Sequence, residues 1–532
     1  MTPTIALAAR PRASTVPGIS TRTITTLPAL ERELNEGLLG AWKGLVHADP
    51  LASCFQSPGW CLPWYRSYHD EYDPFVVVVE TEGVLAGVVP LAVRRGTREI
   101  GFATGTMADY RDIVAAPEHR ATVVDELIRV YLDTRFTTPL QIGWIDPASD
   151  TPALVAAACG ARHVRFRAWQ QPCYRWFPAD GENLNKKFSR IRTHLNHFKR
   201  LGNVTFEVIE RQDDWASFRD AFFQQHSLRQ LQADRAVTFD DPRKRRFYDR
   251  LFDSETVRTH ATALRLDGEL LAGHVGFVWR DVLMLGAPSI SLEHEPRSPA
   301  LVLLSWIIQN AATLGLKGFD LTIGDTEFKR RLGNQRVEVT SIEVYGSRAA
   351  FYAHAARRRA IQLAKAGVQR VFGEHAWDDR VKSAIAAASS RLQVPHGASA
   401  KRPDSARSLG TIELAAADLD QATLYPGQLR ENRIEDLLLW TGEDPATVRA
   451  TRECARVYAR QRAAGASLHT LIDGDRLLGW CFLLPPSEGA AQITVLKVTP
   501  DMQVADGART LASAVARVAL ERGAQRVLVT QD

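Results

Sequence analysis

Cysteine is scarce and scattered. Six occur in 532 residues (Cys54, Cys61, Cys159, Cys173, Cys454 and Cys481), and no two are spaced as CxxC. That argues against a disulfide framework and a structural zinc site, and fits a reducing cytosol. His194 and His197 stand three apart, but no carboxylate or cysteine lies at a matching spacing, so no metal is expected. No run of about 18 uninterrupted apolar residues occurs, which excludes a spanning helix. Any contact with the inner membrane would be peripheral. The start, "MTPTIALAARPRASTVPGISTRTITT", has an apolar run too short for a signal sequence, and residues 1–25 read as a flexible leader. GxSxG is missing too, which disfavours a serine hydrolase elbow. Net charge is only +5, enough to suit an anionic cofactor but far from a nucleic-acid-binding extreme. With 45% hydrophobic and 24% charged residues, the chain has the profile of a soluble globular protein of two to four domains.

What is present is a repeat. "VVVVETEGVLAGVVPL" (Val76–Leu91), "TALRLDGELLAGHVGF" (Thr262–Phe277) and "HTLIDGDRLLGWCFLL" (His469–Leu484) each read strand, acidic-glycine turn, strand. Glu82-Gly83, Asp267-Gly268 and Asp473-Gly474 are the expected hairpin turns, because glycine supplies the positive φ. Gly87, Gly273 and Gly479 follow where a bulge or a close backbone approach is the usual reason. Each hairpin leads into a strand, a polar turn, an amphipathic helix and another strand. A helix returning the chain to a neighbouring strand predicts a parallel pair in a mixed sheet.

Between the copies, "KKFSRIRTHLNHFKRL" places Phe188, Ile191, Leu195 and Phe198 on one face of a basic helix. "DWASFRDAFFQQHSLRQL" is a second amphipathic helix and carries His226. From Ser347 to about Arg391 the chain is rich in Ala and Arg. "QVPHGASAKRPDSARSLG" then has linker composition, so the third copy reads as a separate domain.

The polar turn of the second copy, "EHEPRSPAL", is the sharpest local feature. Ser298 suits an N-cap and Pro299 the first helical position, opening a helix expected over Ala300–Leu314. The first amides of a helix and its dipole attract anions, Ala300 permits close approach, and Arg297 offers a charged fork for phosphate. A plain helix cap that binds nothing explains the same residues. The corresponding turns "APEHRAT" (Ala116–Thr122) and "DMQVADGART" (Asp501–Thr510) carry acidic residues that repel phosphate.

These elements resemble the GNAT-type acyltransferases of the CelD/BcsL group, associated with bacterial cellulose and exopolysaccharide production and related to FemAB-like double-GNAT proteins. The resemblance runs from about Phe55 to Tyr345. It rests on "SPGW" (Ser57–Trp60), "DYRD" (Asp109–Asp112), "HSLR" (His226–Arg229), "DGELLAG" (Asp267–Gly273), "RSPA" and "FDLTIGDTEFK" (Phe319–Lys329). It implies tandem GNAT folds, mixed sheets flanked by helices. The N-terminal half would span 26–175, the catalytic half 176–346 and a helical segment with linker 347–407. A third, truncated unit would span 408–532. It also implies acyl-CoA as cosubstrate, without a metal, its pyrophosphate held by Arg297, Ser298, Pro299, Ala300 and Leu301. The chain departs from the family with Ala300 in place of Gly and Phe328 in place of Tyr, which removes a hydroxyl acid there.

Acyl transfer needs a base, a donor to the carbonyl oxygen and exclusion of water. Backbone amides around Leu285 and Gly286 suit the carbonyl. His226 reads as a base or as a packing histidine, Asp325 as a base or as a cap, and Lys329 as a partner for an anion or as a solvated lysine. Asp109 and Tyr110 read as acceptor-cleft residues, or Asp109 as an Asx turn. The function expected is acyl transfer, of acetyl above all, to an amine or hydroxyl of a sugar, envelope or exopolysaccharide precursor. Polysaccharide-synthesis machinery is the expected neighbour. The alternatives are transfer from aminoacyl-tRNA, with the basic helix Lys186–Arg200 tracking phosphates, and a non-catalytic scaffold.

Overall fold

The computed structural model of the protein describes residues 18–233, 235–372, 412–414, 428–440, 445–487, 490–498 and 507–529. The linker 393–410 and most of the turn 501–510 lie outside them.

Two of the three hairpins close as their sequences predict. Glu82-Gly83 joins Tyr72–Thr81 to Val84–Arg94, and Asp267-Gly268 joins Arg258–Leu266 to Glu269–Trp279. Both turn residues have positive φ, 52° and 78° in the first and 50° and 87° in the second, the combination whose twist matches paired strands. In the third copy Asp473 pairs with Arg476, so the turn is Gly474-Asp475, one residue later than expected. "DGD" offers two overlapping two-residue turns, and register decides between them.

Each second strand then breaks register just before its next glycine. A Cβ at Gly87 would lie 2.4 Å from a Val123 methyl, and one at Gly273 would lie 2.8 Å from the Phe222 ring. Helices Arg120–Thr134 and Gln212–Gln232 press on the sheets at these points. Close approach, not turn geometry, is what these glycines serve.

The first sheet runs Ile19–Ile24, Tyr72–Thr81, Val84–Arg94, Ile100–Phe102, with Val114–Ala115 also on the third of these. Its first strand falls inside the stretch read as a flexible leader, which corrects that reading. Ile19–Ile24 lies antiparallel to Tyr72–Thr81, and Arg22 bridges Glu33 (2.9 Å) and Glu80 (2.5 Å). A polar edge strand of this kind lacks the apolar alternation that marks strands in a sequence.

The second sheet has eight strands: Leu140–Ile145, Gln335–Val344, Phe166–Trp176, Gly318–Ile323, Val282–Ile290, Glu269–Trp279, Arg258–Leu266 and Val204–Ile209. Leu140–Ile145 and Phe166–Trp176 both lie before residue 177, yet they flank Gln335–Val344, antiparallel to it on each side. The two halves are therefore interlocked. The parallel return expected in the first copy does not form. It does form in the second, between Val282–Ile290 and Gly318–Ile323, and in the third, between Ala490–Val498 and Arg526–Val529.

The third sheet runs Ile412–Leu414, Arg526–Val529, Ala490–Val498, Arg476–Ser487, Ser467–Asp473, Gln428–Glu431. One apolar cluster joins Leu437, Tyr458 and Trp480 of this unit to Leu228, Leu231, Ile290 and Leu292 of the second. Phe188, Ile191 and Phe198 of the basic helix are buried, as core packing of that face requires.

Candidate active site

The parallel pair at the centre of the second sheet is short. Only Val282, Leu283 and Met284 pair with Gly318, Phe319 and Asp320, and the two strands part beyond them. Local geometry on both sides accounts for the split. Glu269–Trp279 breaks register against Val282–Ile290 between Val275 and Phe277, where a Cβ on Gly276 would meet the Met284 carbonyl at 2.5 Å. On the other side Thr322 holds a left-handed φ of 59°, costly for a β-branched residue, and its amide donates to Asp320 Oδ1 at 2.8 Å. Leu285 and Gly286 line one lip of the opening. A Cβ at Gly286 would sit 2.2 Å from the Val275 carbonyl, so no side chain fits there.

The other lip carries a buried polar cluster centred on Asp320, which is 5% exposed. Asp320 Oδ2 accepts from the Tyr110 hydroxyl at 2.7 Å and from Arg175 Nε at 3.0 Å. Its Oδ1 takes the Thr322 amide and the Cys173 thiol, the latter at 3.5 Å. Arg175 spends its other arm on Asp146 at 2.6 Å. A buried carboxylate needs such partners, and here they come from three separate segments of the chain. Cys173 and Arg175 belong to the strand that the first half inserts into this sheet, and Tyr110 to the loop after Ile100–Phe102.

Electrostatics sort the roles. Burial pushes the Cys173 thiol up to about 12, with Asp320 adding to it, so it stays protonated and is no nucleophile. The Tyr110 hydroxyl is likewise driven well above its ordinary range by burial and then by Asp320. Burial also raises Asp109, to about 6; the nearby Lys329 ammonium opposes the rise and the Asp320 charge adds to it. Lys329 is 7% exposed and donates to the Ile323 carbonyl; burial lowers its pKa while Asp109 holds it up.

Three of the residues singled out in the sequence, Asp109, Tyr110 and Lys329, are thus brought together. Others are not. Asp325 is exposed and accepts from Tyr174 Oη at 2.9 Å and Arg330 Nη1 at 2.5 Å, bonds that hold its carboxyl below the usual range. It is a pinned surface carboxylate, not a poised base. His226 is buried by Phe239, with ring centroids 4.9 Å apart. Its Nδ1 lies 3.0 Å from the Pro288 carbonyl, so that nitrogen carries the proton, and Nε2 accepts from the Gln230 amide at 3.2 Å. Burial lowers its pKa to about 4. With both nitrogens committed, it fits the packing alternative.

The polar turn also differs from expectation. Pro299 opens helix Pro299–Gln309, which ends five residues sooner than the sequence suggested. Ser298 does not cap with its side chain; it adopts φ 49°, ψ 56°, and its carbonyl takes the Leu301 and Val302 amides at 3.0 and 3.2 Å. The Arg297 and Ser298 amides are taken by the His294 and Glu295 carbonyls at 3.0 and 2.8 Å, and no such bond takes the Ala300 amide. An anion at this turn would therefore meet the Ala300 amide and the exposed Arg297 side chain, a thinner cradle than expected. Ala300 also packs against the apolar cluster of the third unit.

Asp320, Thr322, Cys173 and Arg175 were not singled out from the sequence. Asp320 did leave a signal, a charge inside the apolar strand "GFDLTI", but nothing local names Arg175 as its partner.

No curated protein matches this chain. Among solved structures it is similar to the C-terminal domain of a putative lysylphosphatidylglycerol synthetase from Agrobacterium fabrum, at 16% identity and TM-score 0.40 over 61% of this chain and 96% of that one. It is similar to FemX at 10% identity and TM-score 0.40, over 58% and 96%. A tandem GNAT protein from the clavulanic acid biosynthesis pathway gives 13% identity and TM-score 0.37, over 61% and 98%. At these values the likenesses carry no information about substrate. The stretch 185–330, which holds Asp320, Lys329 and the polar turn but neither Asp109 nor Arg175, matches the family model described as acetyltransferase (GNAT) domain.

Proposed function

We propose that the protein is an acyl-CoA-dependent acyltransferase whose acceptor binds at the seam between its interlocked halves, 26–175 and 176–346. The observation that carries this reading is the half-buried Asp109, with its pKa near 6, beside Lys329 at the opening between two parting strands. Acyl-CoA would supply the thioester. Asp109, ionised at neutral pH yet basic enough to accept a proton, takes that proton from the acceptor amine or hydroxyl. The Lys329 ammonium keeps the Asp109 charge tolerable and stays fixed on the Ile323 carbonyl. Backbone groups at Leu285 and Gly286 face the carbonyl oxygen. Asp320, through Tyr110 and Arg175, positions the loop that carries Asp109. The acceptor class, a sugar or envelope-glycan precursor, rests on the family resemblance.

A second reading has one specific observation in its favour. With most turn amides already bonded, a donor other than CoA, such as an aminoacyl-tRNA, would lose little at this turn. Calorimetric titration of CoA and acetyl-CoA into the wild type and into Arg297→Ala, an exposed position, separates the two. The first reading expects binding by the wild type that the variant loses. No binding by the wild type, with activity sensitive to RNase, would sink it.

A further inference from the structure

Among the described residues, five large apolar side chains stand exposed: Val84, Leu201, Tyr352, Ile361 and Leu363. Three of the five lie on one helix, Arg348–Phe372, at 58%, 45% and 65% exposure. That helix holds six basic residues (Arg348, Arg357, Arg358, Arg359, Lys365 and Arg370) and no acidic one. Its first turns are anchored to the body through Tyr345. The Tyr345 ring meets Phe351 at 5.2 Å and His354 at 5.4 Å, and its hydroxyl takes a bond from Arg358 Nη1 at 2.7 Å. Past Arg358 the described side chains, residues 359–363 and Ala366, are all exposed. At 25 residues the helix is about 37 Å long. Tyr352, Arg359 and Leu363, spaced seven and eleven apart, share one outward face within roughly 40°.

We infer that helix Arg348–Phe372 docks the protein on an anionic lipid surface. Charge complementarity selects the partner's sign, since 25 residues without a carboxylate cannot neutralise their own cations. The apolar side chains select its kind. Tyr352 and Leu363, on that shared face, gain by entering the boundary of a bilayer, whereas a phosphate backbone offers them nothing to bury against. Arg359, on the same face, would lie at headgroup level with its stem along the surface. Arg358 is excluded from this role, because Tyr345 and Glu343 hold it.

The test is cosedimentation of the full chain with vesicles of phosphatidylcholine alone, or of phosphatidylcholine with phosphatidylglycerol. The wild type is expected to bind only the second, and less at high salt. Arg359→Ala should lower partitioning about fivefold. Leu363→Ser, which changes no charge, should lower it by about tenfold. Both side chains are exposed, so wild-type melting temperatures are expected in both variants. Failure of the wild type to bind anionic vesicles overturns the inference, with or without retention on an RNA homopolymer. So does unchanged vesicle binding by Leu363→Ser.

Discussion

Replacing Asp109 by Asn tests the site without any knowledge of the acceptor. An ordinary aspartate titrates near 3.8, and burial carries Asp109 to about 6. The folded protein therefore holds this proton more tightly than the unfolded chain does. The sign follows: the stability that protonation confers is fully present below about pH 4 and is lost as pH rises through 6. About two pH units correspond to about 3 kcal/mol, the cost of carrying Asp109 ionised at pH 8. Asn cannot ionise. Asp109→Asn should therefore unfold at higher denaturant than the wild type at pH 8, by up to about 3 kcal/mol, and at nearly the same denaturant at pH 4. The same variant should lose about 10²- to 10⁴-fold in turnover, because the proton acceptor is gone. The wild-type rate should rise with pH up to about 6 and then level off. A stabilised, inactive variant is what strain at a working site produces. Equal or lower stability of Asp109→Asn at pH 8 would refute both the burial argument and the base assignment.

Three further outcomes follow from the same geometry. Arg175→Met leaves Asp320 buried with its charge uncompensated, and should cost about 3–5 kcal/mol by chemical denaturation. Tyr110→Phe removes one hydroxyl donor to that carboxylate and should cost about 1.5–3 kcal/mol; if the two variants prove equal, Asp320 is not the centre of the cluster. His226→Leu strands the Pro288 carbonyl and should cost about 1–3 kcal/mol of stability. Its turnover should stay within about fivefold of the wild type, and a loss of about 100-fold would restore His226 as the base.

How much of this was legible in the sequence depended on range. The hairpins, the glycine bulges, and the strand before and helix after the polar turn are local, and period and turn chemistry find them. The polar turn stands where the sequence puts it, but the sequence does not show that most of its amides are already bonded. Whether Ser298 caps by side chain or by its own carbonyl depends on one backbone torsion that composition does not reveal. The inserted strand Phe166–Trp176 was out of reach altogether. It pairs with Gln335–Val344, about 170 residues later, and no local pattern records a partner at that distance. The cost of missing it was the core of the site, because Cys173 and Arg175 arrive on that strand.

That insertion also decides what the stretch 185–330 can do alone. Cut at those bounds, Gly318–Ile323 loses its neighbour Phe166–Trp176 and becomes a bare edge, open to pairing with another chain. Asp320 would keep its Thr322 amide but lose Tyr110, Cys173 and Arg175 together, and Lys329 would lose Asp109. Three parting bonds at one buried carboxylate exceed what a marginally stable domain tolerates. The fragment 185–330 should therefore aggregate or fold without a functional site, whereas 18–346 should retain both halves of the cluster. A fragment 185–330 that is monomeric and transfers acyl groups as fast as the full chain would mean that the seam is scaffolding and that the chemistry lies elsewhere along the split strands.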